Sequence, residues 1–459
     1  MSSRFPDLRD HPVIAIIVGF AVLAAIAVPS LLALSEPSEG PPGGSRAERP
    51  GASASPSQAV ADEGRLTVAD ARPVASVAAM MVSQDDAFPG YRAQLLTMAP
   101  QVDDSTPTPA DDGQQAEAED AEDAESAADA MSGWVEVYAL TPDDAPAREP
   151  GDAPTQQEIG ILVRSGEGGV RTRQVVGEEV ERDAPQQVVA ASYDAGTVVW
   201  QETPSTDVAE LPFVLYAWST DSGETTELAR SADVRGAPAP PVAGFTGPVL
   251  RGDTVLWSQV VGGDGGGPDR TDVLACQVDE CEPQVVQRDA AYPTTGPEGF
   301  AVLARGIGEE PTGSVSLIEL GPDLQPVGEP RPLPAAVDTV TGFAGSSSGY
   351  VVLETPAQQS TRALLFDSAG DQSPGVVVGP PAGGFVYAVA GERLAAWGFA
   401  GAADEPVGGY AYDRETGDLL SLGDSSSRYG VAVAEGRVAF QVEGDRDDGL
   451  PGQRVALLE

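Results

Sequence analysis

Val188-Val-Ala-Ala-Ser-Tyr-Asp-Ala-Gly-Thr-Val-Val-Trp-Gln-Glu202 reads as two strands folded about a glycine, and two more β-rich runs follow it, Phe213 to Trp218 and Glu224 to Ala229. Its second strand, Gly196-Thr-Val-Val-Trp200, has six relatives along the chain: Gly133-Trp-Val-Glu-Val-Tyr138, Gly252-Asp-Thr-Val-Leu-Trp257, Gly299-Phe-Ala-Val-Leu303, Gly349-Tyr-Val-Val-Leu353, Gly391-Glu-Arg-Leu-Ala-Ala-Trp397 and Gly436-Arg-Val-Ala-Phe440. Successive glycines lie 63, 56, 47, 50, 42 and 45 residues apart. That interval is too long for a hairpin and matches a four-stranded blade. The expected fold is all-β, a seven-bladed β-propeller, with a six-bladed ring as the alternative.

The last copy, ending at Arg454-Val-Ala-Leu-Leu-Glu459, stops at what counts as its third strand. An unpaired edge at the seam of a ring invites edge pairing, so another part of the chain is expected to fill it. Val74 to Val82 is the expected outer strand of the seventh blade, with Leu66 to Ala69 as the lesser candidate, and Tyr91 to Met98 the innermost strand of the first.

Ahead of the propeller, Val13 to Leu34 runs 22 residues without a charge, enough to cross a bilayer core. The organisation expected is a cytoplasmic tail at 1–12, a transmembrane helix at 13–34, a flexible Pro/Gly/Ser-rich stalk at 35–64, and a propeller at 65–459 with an acidic disordered insertion at 101–132. An uncleaved anchor with the large domain outside the cytoplasm follows from the short leading tail and the poor cleavage site at Leu31-Leu32-Ala33.

Charge and missing residue types narrow the chemistry. The chain carries 71 acidic and 26 basic residues, a net charge of −45, and no lysine. Such a surface repels polyphosphate, so nucleic acid is not an expected partner. The single histidine is His11, across the expected membrane span from the domain, which excludes Ser-His-Asp and Cys-His catalysis there. Absence of lysine excludes Schiff-base chemistry and a phosphate-loop lysine. What is left for catalysis is a pair of carboxylates, as in glycoside hydrolysis.

Cys276 and Cys281 flank a tight turn and are expected to form a local disulfide, which over so short a loop contributes about 2 kcal/mol. Two acidic loops, Asp264 to Asp269 with Asp272, and Glu443-Gly-Asp445-Arg-Asp447-Asp448, are the candidates for calcium. Neither matches the twelve-residue calcium loop, and ordinary Asp-Gly turns give the same letters, so no metal site and no cofactor are expected. Tyr193, Asp194, Arg251, Tyr292, Arg305, Tyr350, Tyr387 and Tyr429 fall near the inner strands and their connecting loops, where a propeller rims its channel, and are the candidate binding residues. Trp200, Trp218, Trp257 and Trp397 sit at strand positions suited to packing between blades.

Tyr410-Ala-Tyr-Asp-Arg-Glu-Thr-Gly-Asp418 resembles the blades of WD40-like, TolB-type bacterial β-propellers, and the resemblance extends from about Gly133 to the C-terminus. The Asp-box of sialidases and the turn tryptophan of quinone-dependent propellers are not found. The TolB-type resemblance implies an extracytoplasmic surface for proteins or peptides. The expected function is a membrane-anchored binding or scaffold module of the bacterial cell envelope, with an envelope protein or peptide as partner. The alternative is a carboxylate-based hydrolase or lyase acting on glycans.

Overall fold

The computed structural model describes residues 66–83, 87–101, 133–146, 153–204, 212–231, 233–234, 237–238, 247–261, 270–305, 314–336, 340–355, 361–369, 375–378, 384–400, 408–423, 431–442 and 452–458. The expected tail, membrane span and stalk, nearly all of the acidic insertion, and the loops 264–269 and 443–448 lie outside the described residues. Among the described residues, no helix is long and apolar enough to cross a membrane.

Seven antiparallel blades account for the strands apart from one two-stranded hairpin, Asp233–Val234 with Ala237–Pro238. Blade 1 is Tyr91–Pro100, Trp134–Pro142, Glu158–Arg164 and Val170–Val176. Blade 2 is Gln187–Asp194, Thr197–Thr203, Val214–Ser219 and Thr225–Arg230, within a residue or two of the runs read from sequence. Blade 3 is Val249–Arg251, Thr254–Val261, Arg270–Gln277 and Gln284–Gln287, and blade 4 is Ala290–Thr295, Phe300–Arg305, Ser314–Leu320 and Arg331–Ala336. Blade 5 is Val340–Ser346, Gly349–Glu354, Arg362–Asp367 and Gly375–Val378; blade 6 is Gly384–Ala390, Leu394–Ala400, Gly409–Asp413 and Leu419–Gly423.

Blade 7 takes three strands, Ala432–Ala434, Arg437–Val442 and Gly452–Leu458, from the C-terminus and its outer strand, Ala78–Ser83, from the N-terminal segment. The strand thus begins four residues later than Val74, because Val74–Ser76 forms a 3-10 turn whose valine is buried against blades 6 and 7. Leu66–Thr67 and Arg72–Pro73 add short parallel fifth strands to the outer edges of blades 5 and 6. The N-terminal segment therefore runs past three blades before it enters blade 1.

Glycine before a second strand meets two different needs. Gly196 and Gly436 hold φ of +82° and +75° in two-residue hairpin turns, each after a residue that is also left-handed, Ala195 and Glu435. At Gly299 φ is ordinary, but a Cβ there would stand 2.5 Å from the carbonyl oxygen of Leu320 on the next strand.

Second strands are covered on both faces by neighbouring blades, so they read as nearly continuous apolar runs, whereas an outer strand such as Val170–Val176 is mostly exposed. The core is accordingly divided into seven clusters, one at each boundary between blades. Trp200 and Trp218 fill the boundary between blades 1 and 2, Trp257 that between 2 and 3, and Trp397 that between 5 and 6. Trp134 and Tyr138 of blade 1 pack with Ala439 and Val455 of blade 7, closing the ring.

Candidate functional site

Because each blade is an up-and-down meander, its first and third turns lie on one face of the ring and its second turn and exit on the other. The first face, called here the hairpin face, carries several of the residues nominated from sequence. The Asp194 carboxylate accepts the Gly252 N–H of blade 3 at 2.7 Å. Arg251 donates through Nη1 to the Gly296 and Gly299 carbonyls of blade 4, at 2.7 and 2.5 Å. Tyr350 is fully buried, stacks on Phe343 and donates its hydroxyl to Glu319 of blade 4 at 2.6 Å.

Tyr193 and Tyr387 are half-buried against the cores between blades 1 and 2 and between 6 and 7. Tyr292, left-handed at φ +57° in a bulge of its strand, donates to the Val340 carbonyl of blade 5 at 3.3 Å. Arg305 ends the second strand of blade 4, and Tyr429 lies outside the described residues. The nominated residues are therefore spread over successive blade boundaries and not gathered in one cleft. Further ties continue the series: Ser347 donates to Glu392 across blades 5 and 6 at 3.0 Å, and the Arg437 guanidinium of blade 7 lies 4.9 Å over the Trp134 ring of blade 1.

Most buried acids meet an arginine. Glu136 is fully buried and accepts from Trp134 Nε1 at 2.5 Å, from Tyr138 at 2.6 Å and from Arg164 at 3.1 Å. Burial pushes its carboxyl up, and Arg164 only partly opposes this. Glu202, Asp272 and Glu354 are likewise buried and paired with Arg182, Arg270 and Arg362. The pattern Trp-x-Glu or Trp-x-Gln recurs at 134–136, 200–202 and 257–259, where the indole N–H donates to the side chain two residues on, which the strand places on the same face. That signal is present in the sequence and marks Glu136 and Glu202 among these buried acids. The sixth copy has Phe399 at the corresponding position, and Trp397 Nε1 has no partner.

One pocket opens on the hairpin face between blades 5 and 6. Its volume is about 430 Å³, and it is lined by Ser348, Asp367, Glu392, Arg393, Tyr412, Arg414 and Glu415. The turn after Gly409–Asp413 builds it: the Asp413 carboxylate accepts the N–H groups of Glu415 and Thr416, and Gly417 supplies φ of +77°. Burial alone would raise Asp413, but bonds from Arg393 and from that turn outweigh it and hold its carboxyl below the usual range. Arg414 donates to the carbonyls of Phe366 and Tyr350 at 3.0 and 3.4 Å, while its buried Nε has no hydrogen-bond partner. Tyr412 is almost fully buried, whereas Glu392 and Glu415 are exposed at the mouth. None of these residues is among the candidate binding residues of the sequence, although Tyr412, Arg414 and Glu415 lie within the Tyr410–Asp418 stretch that carries the family resemblance.

No protein-family model and no curated protein matches the chain. Solved structures of similar fold include the β-propeller domain of the Trilobed protease from Pyrococcus furiosus, 11% identical over 70% of this chain and 91% of that one, with a TM-score of 0.41. Pyrococcus horikoshii acylaminoacyl peptidase is 10% identical over 71% of this chain, with a TM-score of 0.42, and the match spans only about half (51%) of the peptidase. TolB from Acinetobacter baumannii is 12% identical over 67% of this chain and 78% of its own, with a TM-score of 0.34.

Cys276 and Cys281 are joined as a disulfide in the turn between the third and fourth strands of blade 3. Among the described residues, no three acidic, cysteine or histidine side chains converge as a metal site; Asp272, one of the calcium candidates, is committed to Arg270 and to the Asp289 N–H.

On the opposite face Arg182 sits between Glu202 at 2.8 Å and Glu158 at 3.6 Å. Burial, only partly opposed by Arg182 and reinforced by the charges of Glu202 and Glu178, pushes Glu158 up to about 7. A carboxyl with a folded pKa above its unfolded one stabilises the fold at low pH, and that stability is lost as pH rises from about 4.5 to about 7. Its partial exposure limits the loss to about 1 to 2 kcal/mol. Glu158→Gln is expected to flatten stability across this window in denaturant titrations and to raise it above pH 7; an unchanged pH profile would contradict the assignment.

Proposed function

We propose that this chain is a membrane-anchored, extracytoplasmic propeller that binds protein or peptide in the bacterial cell envelope, with the pocket between blades 5 and 6 as its recognition site. The observation that carries this reading is how the charged side chains are used. Buried acids such as Glu136, Glu202 and Glu354 are matched to arginines in the framework, while the blade 5 and 6 turns present a preformed pocket with both charges at its surface. Acids such as Glu136 and Glu202 are enclosed in the core and committed to arginines, whereas a surface pocket of mixed polarity suits recognition. The apolar run at 13–34 supports the anchor. Proximity labelling on intact cells tests the reading: a reproducible set of envelope proteins is expected, and a yield no different from that of an unrelated anchored domain would remove it.

The hydrolase or lyase reading has one observation in its favour. Glu158 and Glu202 share Arg182, and the first titrates near neutrality, as a general acid must. Release of reducing ends from cell-wall glycans that vanishes in Glu158→Gln would favour it.

A further inference from the structure

The geometry points to a ligand class for the pocket between blades 5 and 6: we infer that it takes a basic side chain, lysine or arginine, presented on a peptide segment of a partner protein. The inference rests on the binding reading above and names what is bound.

Charge within the pocket sets the sign. Asp367, Glu392 and Glu415 bring three carboxylates to the lining, against the two guanidinium groups of Arg393 and Arg414. Arg393 is held by the Asp413 carboxylate at 2.8 Å and also meets Glu415 at 3.3 Å, so with Asp413 included four carboxylates stand against two guanidinium groups. The surplus at the mouth is negative, and a cation is what it stabilises. The long-range field acts the same way, since a chain of net charge −45 draws cationic partners and repels anionic ones.

Size and donors indicate more than a bare cation. About 430 Å³ falls within the ordinary range for ligand pockets, roughly 300 to 1,000 Å³, and exceeds the needs of one ion. Among the described residues no three acidic side chains converge as a metal site, and a pocket of this size suits a ligand that fills it as well as carrying charge. A lysine or arginine does this with its long stem, which the Tyr412 ring can line. Ser348 and Arg414 line the pocket and offer donors for the carbonyl groups that a peptide backbone brings with such a side chain.

The site is also held in shape before any ligand arrives. The 413–418 turn is braced by the Asp413 carboxylate and tied to the N-terminal segment by the Arg72–Asp418 ion pair at 2.8 Å. Opposite it, Ser347 fixes Glu392. Little ordering remains to be done on binding, which favours affinity from a small contact.

Calorimetric titration at low salt of the intact propeller with capped Gly-Ser heptapeptides bearing a central arginine, lysine, norleucine or glutamate tests the inference. The arginine and lysine peptides are expected to bind, and the double variant Glu392→Gln/Glu415→Gln to weaken them about tenfold. The variant Asp221→Asn/Glu224→Gln removes two equally exposed charges from a blade 2 turn and is expected to change nothing. Equal loss in that distal variant would show a general field and overturn the site. Binding of the norleucine or glutamate peptide as tightly as the basic ones would overturn the charge assignment while leaving the pocket a peptide site. Failure of every peptide to bind at millimolar concentration would also overturn the inference, and the labelling experiment then decides separately whether the domain binds proteins at all.

Discussion

A chain lacking residues 66–83 is expected to lose its cooperative fold altogether. The C-terminus supplies only three strands to blade 7, and Ala78–Ser83 pairs with Gly452–Leu458 from Ser83 opposite Arg454 to Ala78 opposite Leu458. Without it the third strand becomes an open edge. The loss extends beyond one ladder. Val74 is buried in the core between blades 6 and 7, Val82 packs at the boundary of blades 7 and 1, and Leu66 and Val68 cover the core between 5 and 6. Three of seven boundaries would be uncovered at once, in a domain whose whole stability is on the order of 5 to 15 kcal/mol. Circular dichroism melting is expected to show no single transition for the truncated chain. Retained cooperative melting with an unchanged midpoint would sink the closure.

Glu136→Ala is expected to cost about 3 to 5 kcal/mol, because it strands the Arg164 guanidinium, itself nearly fully buried, without its counter-charge. Trp134 and Tyr138 lose their acceptor in the same step, at the one boundary where the ring closes on itself. Removing both charges is a different matter. Glu136→Met with Arg164→Met leaves no orphaned charge, and this pair is expected to be more stable than Glu136→Ala alone. Urea unfolding of the three chains measures the difference; a double variant no better than the single one would mean that Arg164 is not what makes the glutamate necessary.

The blade count was legible because a blade needs a sharp turn before its second strand, and glycine supplies it either by left-handed backbone, at Gly196 and Gly436, or by lacking a Cβ, at Gly299. The seam was legible by counting strands: seven blades of four require one more than the last repeat holds. The parallel additions at Leu66–Thr67 and Arg72–Pro73 were not, since two residues are too few to show a period.

The binding residues were harder to read for a physical reason. Asp194, Arg251 and Tyr350 do lie at hairpin turns, yet each reaches across to an adjoining blade, and a sequence does not distinguish a side chain facing a ligand from one facing a neighbouring blade. The pocket depends on turns of two blades, around Ser348 and Asp367 in blade 5 and around Arg393 and Arg414 in blade 6, that the ring brings side by side. Arg182 and Glu202 are similar: twenty residues separate them, and the entry into blade 2 is what brings them together.

Hydrogen–deuterium exchange on the intact chain tests the closed ring most directly. The amides of Ala78–Ser83 that bond into their shared ladder are expected to exchange as slowly as those of Gly452–Leu458 and to open in the same cooperative event. Exchange of 78–83 at the rate of an unstructured peptide, with 452–458 still protected, would contradict a ring closed by its N-terminal strand.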